Sequence, residues 1–327
     1  MNEFDGRAAS KQFSRVGWGI FAFIAVALIF EVAVLAVLLA VRSPLLKEAW
    51  FTVALGIAAM YVFGLLAAVA VINHKPAAPL PLGRKMTPAE FLTAFCMVIG
   101  LTYAGNIIGN ILMLAAQTLL HKSIENPLDG LLNGSALWIQ LISLLVVAPL
   151  LEEFLFRKCI VRALAGYSHT GAILVSALAF GLCHGNFYQF FYAFSVGLLF
   201  AYLYLRTGRL RYTVALHFLV NFLGGAMPLL LNKGFTAAEG PLLFWQENAS
   251  ALVALLLYVF LMWGIAIAGV VLLIIRRKDF RLPARRPSIP AGMRFRTVFV
   301  NSGMILTVLV GLLLFAYSLF GQYDLGA

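Results

Sequence analysis

Residues 149–158 read PLLEEFLFRK and place two adjacent carboxylates, Glu152 and Glu153, near the end of an apolar run. An ionisable side chain inside such a run is a functional candidate unless it is close enough to a helix end to snorkel to water. The five histidines narrow the search for a partner, because only His184, in AFGLCHGN, and His217, in VALHFLVNF, are embedded in apolar sequence. Asn221 follows His217 at i+4 and shares its helical face. A carboxylate, two imidazoles and a carboxamide contain a base, a pair able to activate water and two donors for a developing oxyanion. The plainer alternatives are a snorkelling glutamate pair neutralised by Arg157 and Lys158, packed hydrogen-bonded histidines, and an Asn–His pair that holds helices together.

Spacing separates the two carboxylates. Glu153 and Arg157 stand at i,i+4 with the acid on the N-terminal side, the favourable order for a helical ion pair. Glu152 points about 100° away, with Phe156 at its own i+4 position, so its partner must come from another helix.

The elements that must position these groups are membrane helices. The chain is 62% hydrophobic and 11% charged, against about 25% charged in soluble domains. Apolar windows of spanning length recur at 17–41, 50–73, 89–120, 135–156, 170–186, 187–205, 212–231, 249–275 and 298–320. The predicted fold is therefore an all-α polytopic bundle of about nine spans, with the pair near residue 186 the least regular. Three regions are expected: 1–87 with two helices and a cytoplasmic loop, 88–231 holding every candidate residue, and 232–327 with two helices and a basic loop.

The net charge of +11 follows topology rather than nucleic acid. With the N-terminus in the cytoplasm, segments 1–16, 74–90, 157–167, 206–211 and 276–297 carry 20 of the 24 Lys and Arg residues. Basic loops stay cytoplasmic, which predicts a multi-pass protein of the cell's inner (plasma) membrane with its N-terminus inside and its C-terminus outside. No nucleic-acid partner is expected. The loop RRKDFRLPARRPSIPAGMRFR, with eight basic residues, is expected to lie on anionic lipid headgroups. Thr87, Pro88 and Glu90 form a capping-box pattern that starts the third span. Cys96, Cys159 and Cys183 are odd in number and imply no disulfide framework, and Cys183 reads as a small packed residue. Gly105, Asn106, Gly109 and Asn110 form a small and polar stripe suited to close helix packing, whereas Glu31 in the first span has no evident role.

Depth brings the candidates together. Glu152 lies 17 residues past Ser135, about 25 Å along a helix crossing a core of about 30 Å. His217, six residues past Arg211, reaches a similar level below the same interface. His184 does not fit so easily: a straight helix from Thr170 places it about 21 Å along, too deep to meet Glu152. Its helix must tilt, begin in the cytosol or break early.

Three motifs in order, Glu-Glu-x-x-x-Arg (152–157), Phe-x-x-x-His (180–184) and His-x-x-x-Asn (217–221), resemble those of the CPBP family, the CAAX proteases and bacteriocin-processing enzymes also known as the Abi family. The resemblance covers residues 88–231. It implies an intramembrane endopeptidase whose site opens to the cytosol and whose substrate is a membrane-associated protein or peptide. By motif position, Glu152 and His184 would activate water, His217 and Asn221 would stabilise the oxyanion, and Glu153 and Arg157 would support them. A metal-free mechanism is preferred, although Glu152, His184 and His217 could also form an open zinc site with water as fourth ligand. The competing class is a non-catalytic scaffold or transporter that uses the same residues for assembly or ion binding. The lack of repeat symmetry and of paired broken helices weighs against a transporter.

Overall fold

The computed structural model describes residues 5–74, 77, 80–126, 137–231, 249–282 and 289–321. Its regular elements are helices: α1 (Gly6–Ala40), α2 (Trp50–Ile72), α3 (Pro88–Leu120), α4 (Leu137–Ala165), α5 (His169–Leu182), α6 (Phe187–Thr207), α7 (210–231), α8 (Ala249–Ile275) and α9 (Ser302–Phe320). No strand occurs among the described residues.

Among the described residues seven helices are long and apolar enough to cross a membrane, not nine. The two predicted spans outside that set are α5 and α7. The 14 residues of α5 reach only about 21 Å against a hydrocarbon core of about 30 Å, and α7 carries Arg211, His217 and Asn221 in its first twelve residues. Multiple apolar spans make this a multi-pass membrane protein. The predicted start of the fourth span at Ser135, the boundary at 231/232 with the following residues 232–248, and Arg285 and Arg286 of the basic loop lie outside the described residues.

Side-chain caps begin the helices where the sequence supplies them. Asp5 caps α1, Ser168 caps α5, Asn186 caps α6 and Asn301 caps α9. At α3 the capping box forms in both directions: the Thr87 hydroxyl accepts from the Glu90 N–H, and the Glu90 carboxylate accepts from the Thr87 N–H at 2.9 Å. Each satisfies a donor that the first helical turn leaves unpaired.

The bundle has two apolar clusters. One joins α1, α2, the end of α4, α5 and the start of α9 through residues such as Phe13, Ile72, Ile160 and Phe180. The other joins α3, α6, α7 and α8 through Val98, Phe200, Leu216 and Met262. Gly105 and Gly109 let α3 lie against the α6 backbone, because a Cβ at Gly105 would collide with Phe191 and Tyr192 and one at Gly109 with Phe187. The asparagines of the same stripe do not take part, and Asn110 donates to the Asn106 carbonyl of its own helix at 2.8 Å.

Candidate active site

The polar site lies where the two apolar clusters meet. Its deepest element is the Glu153–Arg157 pair, both side chains fully buried, with Arg157 Nε donating to Glu153 Oε2 at 3.1 Å. Arg157 Nη1 also donates to Ser176 Oγ of α5 at 2.9 Å, and that hydroxyl donates to the Phe156 carbonyl. The guanidinium lies 4.9 Å from the Phe180 ring of one cluster and 5.5 Å from the Phe200 ring of the other. A buried guanidinium survives only when its charge is paired and its donors are used, and the carboxylate, hydroxyl and aromatic faces supply this. One nitrogen, Arg157 Nη2, has no hydrogen-bond partner.

Glu152, one residue earlier, occupies a different environment. Its side chain is 15% exposed, compared with 0% for Glu153. Its partners come from two other helices, as the 100° divergence requires. Tyr61 of α2 donates its hydroxyl proton to Glu152 Oε1 at 2.5 Å, and His217 Nε2 of α7 lies 3.7 Å from Glu152 Oε2. The other nitrogen of His217, Nδ1, is 3.2 Å from Glu153 Oε1. His217 thus bridges the two adjacent carboxylates. Because the Arg157-paired Glu153 carboxylate only accepts, Nδ1 carries a proton, and Nε2 is the nitrogen that faces the more open carboxylate.

His184 follows the end of α5 at Leu182 and sits in a tight turn in which Gly185 adopts a φ of +66°, a conformation that glycine adopts without strain. The helix thus ends before His184 is reached. The Nδ1 of His184 lies 2.7 Å from the Phe180 carbonyl. A carbonyl only accepts, so Nδ1 holds the proton and a neutral His184 presents the Nε2 lone pair. Both imidazoles pack edge-on to the same ring, with centroids 5.1 Å (His184) and 5.8 Å (His217) from Phe180, and Glu152 lies within coulombic range of His184. Asn221 donates one amide hydrogen to the Leu144 carbonyl of α4 at 2.8 Å, leaving its second Nδ2–H for another acceptor.

The helices around these contacts are locally underwound into π-turns at Ala59–Gly64, Ser143–Val147, Phe154–Val161 and Phe222–Ala226. Tyr61, Leu144 and Arg157 lie inside three of them, and the fourth begins directly after Asn221. A π-turn re-aims side chains and loosens the carbonyl ladder, and such turns concentrate at functional sites.

Tyr61 and Tyr192 are the neighbours that motif reading misses. The Tyr192 ring lies 6.1 Å from His184, and its hydroxyl accepts from Gln189 Nε2 at 3.0 Å. Neither tyrosine belongs to a charged or periodic pattern, so neither carries a sequence signal. Among the described residues no group of three His, Cys, Asp or Glu side chains is placed to hold a metal ion. In both rings Nδ1 is hydrogen-bonded within the protein, His217 to Glu153 and His184 to the Phe180 carbonyl, which leaves Nε2 of each as the nitrogen available at the site.

A bundle of apolar membrane-spanning helices that keeps one partly exposed carboxylate beside imidazoles defines an integral membrane protein with a polar site among its helices. Residues 134–223 match the family model described as type II CAAX prenyl endopeptidase Rce1-like. The protein "Putative membrane peptidase YdiL" of Bacillus subtilis (strain 168) is 37% identical over 79 residues, which are 23% of this chain. The chain spans only about a third (32%) of that relative's length. No solved structure matches the chain. The matched segment holds all three motifs, and over these residues the chain is similar to the type II CAAX prenyl endopeptidase Rce1-like family.

Proposed function

We propose that the chain is an intramembrane endopeptidase that hydrolyses a peptide bond of a membrane-associated protein or peptide, with Glu152 as general base. The observation that carries this reading is the division between adjacent carboxylates: Glu153 is sealed in an ion pair, whereas Glu152 is partly open and flanked by His217 and His184. The matched family model and the relative's name support the same activity.

In this mechanism a water held between Glu152 and the His184 Nε2 lone pair attacks the scissile carbonyl carbon. Glu152 takes the proton that the water loses. The oxyanion is met by the free Nδ2–H of Asn221 and by an Nε2–H of His217. On collapse, Glu152 returns its proton to the leaving amine and the peptide bond breaks. Glu153 and Arg157 hold His217 and the α4 segment in register. Every group in this scheme is a residue of the chain, and a zinc-dependent variant would show itself as loss of activity on chelation. The site opens toward the cytosol if the basic segments lie inside, the orientation that the charge distribution favours.

A quantitative census of protein termini in membranes of cells carrying either the natural chain or Glu152→Gln tests the reading. The substitution removes the charge and keeps the shape. New termini that require Glu152 are expected and would name the substrate. Identical termini at equal expression would overturn the protease reading in favour of a scaffold or transporter.

A further inference from the structure

Away from Glu152, a cleft of about 560 Å³ opens between the first turns of α1, the end of α2 and the start of α9. Every lining residue except Val71 carries a hydrogen-bond donor, and none carries a carboxylate. Arg7, Lys11 and Arg15 stand at i, i+4 and i+8 on one face of α1, a spacing at which like charges repel. None of the three is in an ion pair among the described residues. Asp5, two residues before Arg7, is engaged as the N-cap with the Arg7 and Ala8 N–H groups at 3.0 Å, and Arg15 Nη1 donates to the neutral Gln12 amide oxygen. Among the described residues the ladder therefore lacks a counter-charge.

The same face continues into apolar surface. Trp18 lies next along it, its indole N–H pinned to Ser302 Oγ at 3.2 Å and its ring 43% exposed, the posture of a tryptophan at a headgroup boundary. Ile29 and Val32 follow at i+11 and i+14 from Trp18, 69% and 63% exposed. Cations, then an interfacial ring, then bare aliphatic surface match the order of an anionic headgroup, a glycerol backbone and acyl chains. A free phosphate would use only the first part of this surface.

We propose that this cleft binds one anionic glycerophospholipid, its phosphate between Arg7, Lys11 and Arg15 and its chains along the Ile29–Val32 face. None of the described residues of the basic loop at 276–297 lines this cleft, and the proposal does not depend on the peptidase reading.

The test is a lipid titration of the full chain in neutral detergent, read by native mass spectrometry and by thermal shift. The probes are phosphatidylglycerol, phosphatidylcholine and inorganic phosphate. Phosphatidylglycerol is expected to bind and stabilise while the other two do not. At about fivefold per basic residue, Arg7→Gln/Lys11→Gln should weaken phosphatidylglycerol about 25-fold. Arg276→Gln/Arg277→Gln in the basic loop should leave it within about twofold if binding is local rather than a summed surface effect. Equal weakening by both pairs would mean diffuse attraction, equal binding of phosphatidylcholine would mean no charge recognition, and stabilisation by inorganic phosphate would mean an anion site without lipid. Each of these overturns the proposal. If the double variant does not fold, Lys11→Gln alone carries the test with an expected loss of about fivefold.

Discussion

Tyr61 and Glu152, 91 positions apart and on different helices, share the tightest contact in the candidate site, hydroxyl oxygen to carboxylate oxygen at 2.5 Å. Tyr61 lies in α2, outside the segment that matches the family model. The bond fixes one carboxylate oxygen and so determines that Oε2 is the one turned to His217. If Glu152 is the base, Tyr61→Phe frees its carboxylate to rotate while leaving the pocket shape intact. kcat should fall roughly tenfold, with KM changed far less, as expected when a reacting group is misplaced rather than removed. Kinetics on a substrate found by the terminus census, with purified protein in proteoliposomes, would check it. A change confined to KM would place Tyr61 in substrate binding.

The adjacent glutamates should respond differently to the same substitution. Glu153→Gln leaves Arg157 as an unpaired cation at a fully buried position, and breaking a buried pair from one side costs about 3–5 kcal/mol. Glu152→Gln, at a site 15% exposed with a tyrosine donor to spare, should cost about 1 kcal/mol or less. Thermal unfolding in detergent separates the two cases: a large drop for Glu153→Gln and a small one for Glu152→Gln. Equal drops would mean that the two carboxylates share one structural role.

The contrast between these glutamates was legible in the sequence, because i,i+4 geometry alone pairs Glu153 with Arg157 and turns Glu152 toward another helix. His217 as that partner was legible too, from its depth relative to Arg211. The bridge from His217 to Glu153 was not, since a carboxylate already paired in its own helix gives no hint of a second partner. Tyr61 was hidden for another reason: a tyrosine in an apolar run is at home in a membrane helix, and only the approach of α2 gives it a role. The span count failed at α5 and α7 because hydropathy windows measure composition and cannot see that the chain turns at Gly185. Glu31, half-buried on α1, is a position that nothing in the structure explains.

Asn221 offers a separable test of the oxyanion assignment. One of its amide hydrogens is engaged by the Leu144 carbonyl, which orients the other. Asn221→Ala removes both and should lower kcat about 10²- to 10³-fold. The packing cost is small by comparison, about 1 kcal/mol for the lost bond to Leu144. Single-turnover kinetics alongside thermal unfolding would distinguish a catalytic loss from a folding loss. A proportional decline in both would make Asn221 a tie between α7 and α4 and nothing more.

Chelation tests the last open element of the mechanism, what activates the water. Two of the four imidazole nitrogens at the site are engaged elsewhere, Nδ1 of His217 by Glu153 and Nδ1 of His184 by the Phe180 carbonyl. The remaining two, with Glu152, are not arranged as a three-donor set. Activity in proteoliposomes should therefore survive prolonged dialysis against a strong chelator with less than about a twofold change, whereas loss of a catalytic zinc would abolish the activated water altogether. Zinc measured on the purified chain by elemental analysis should be well below one atom per molecule both before and after dialysis. Activity that disappears with the chelator and returns with added zinc would require Glu152 and the two histidines to close around a metal, and the base assigned to Glu152 would then be a ligand.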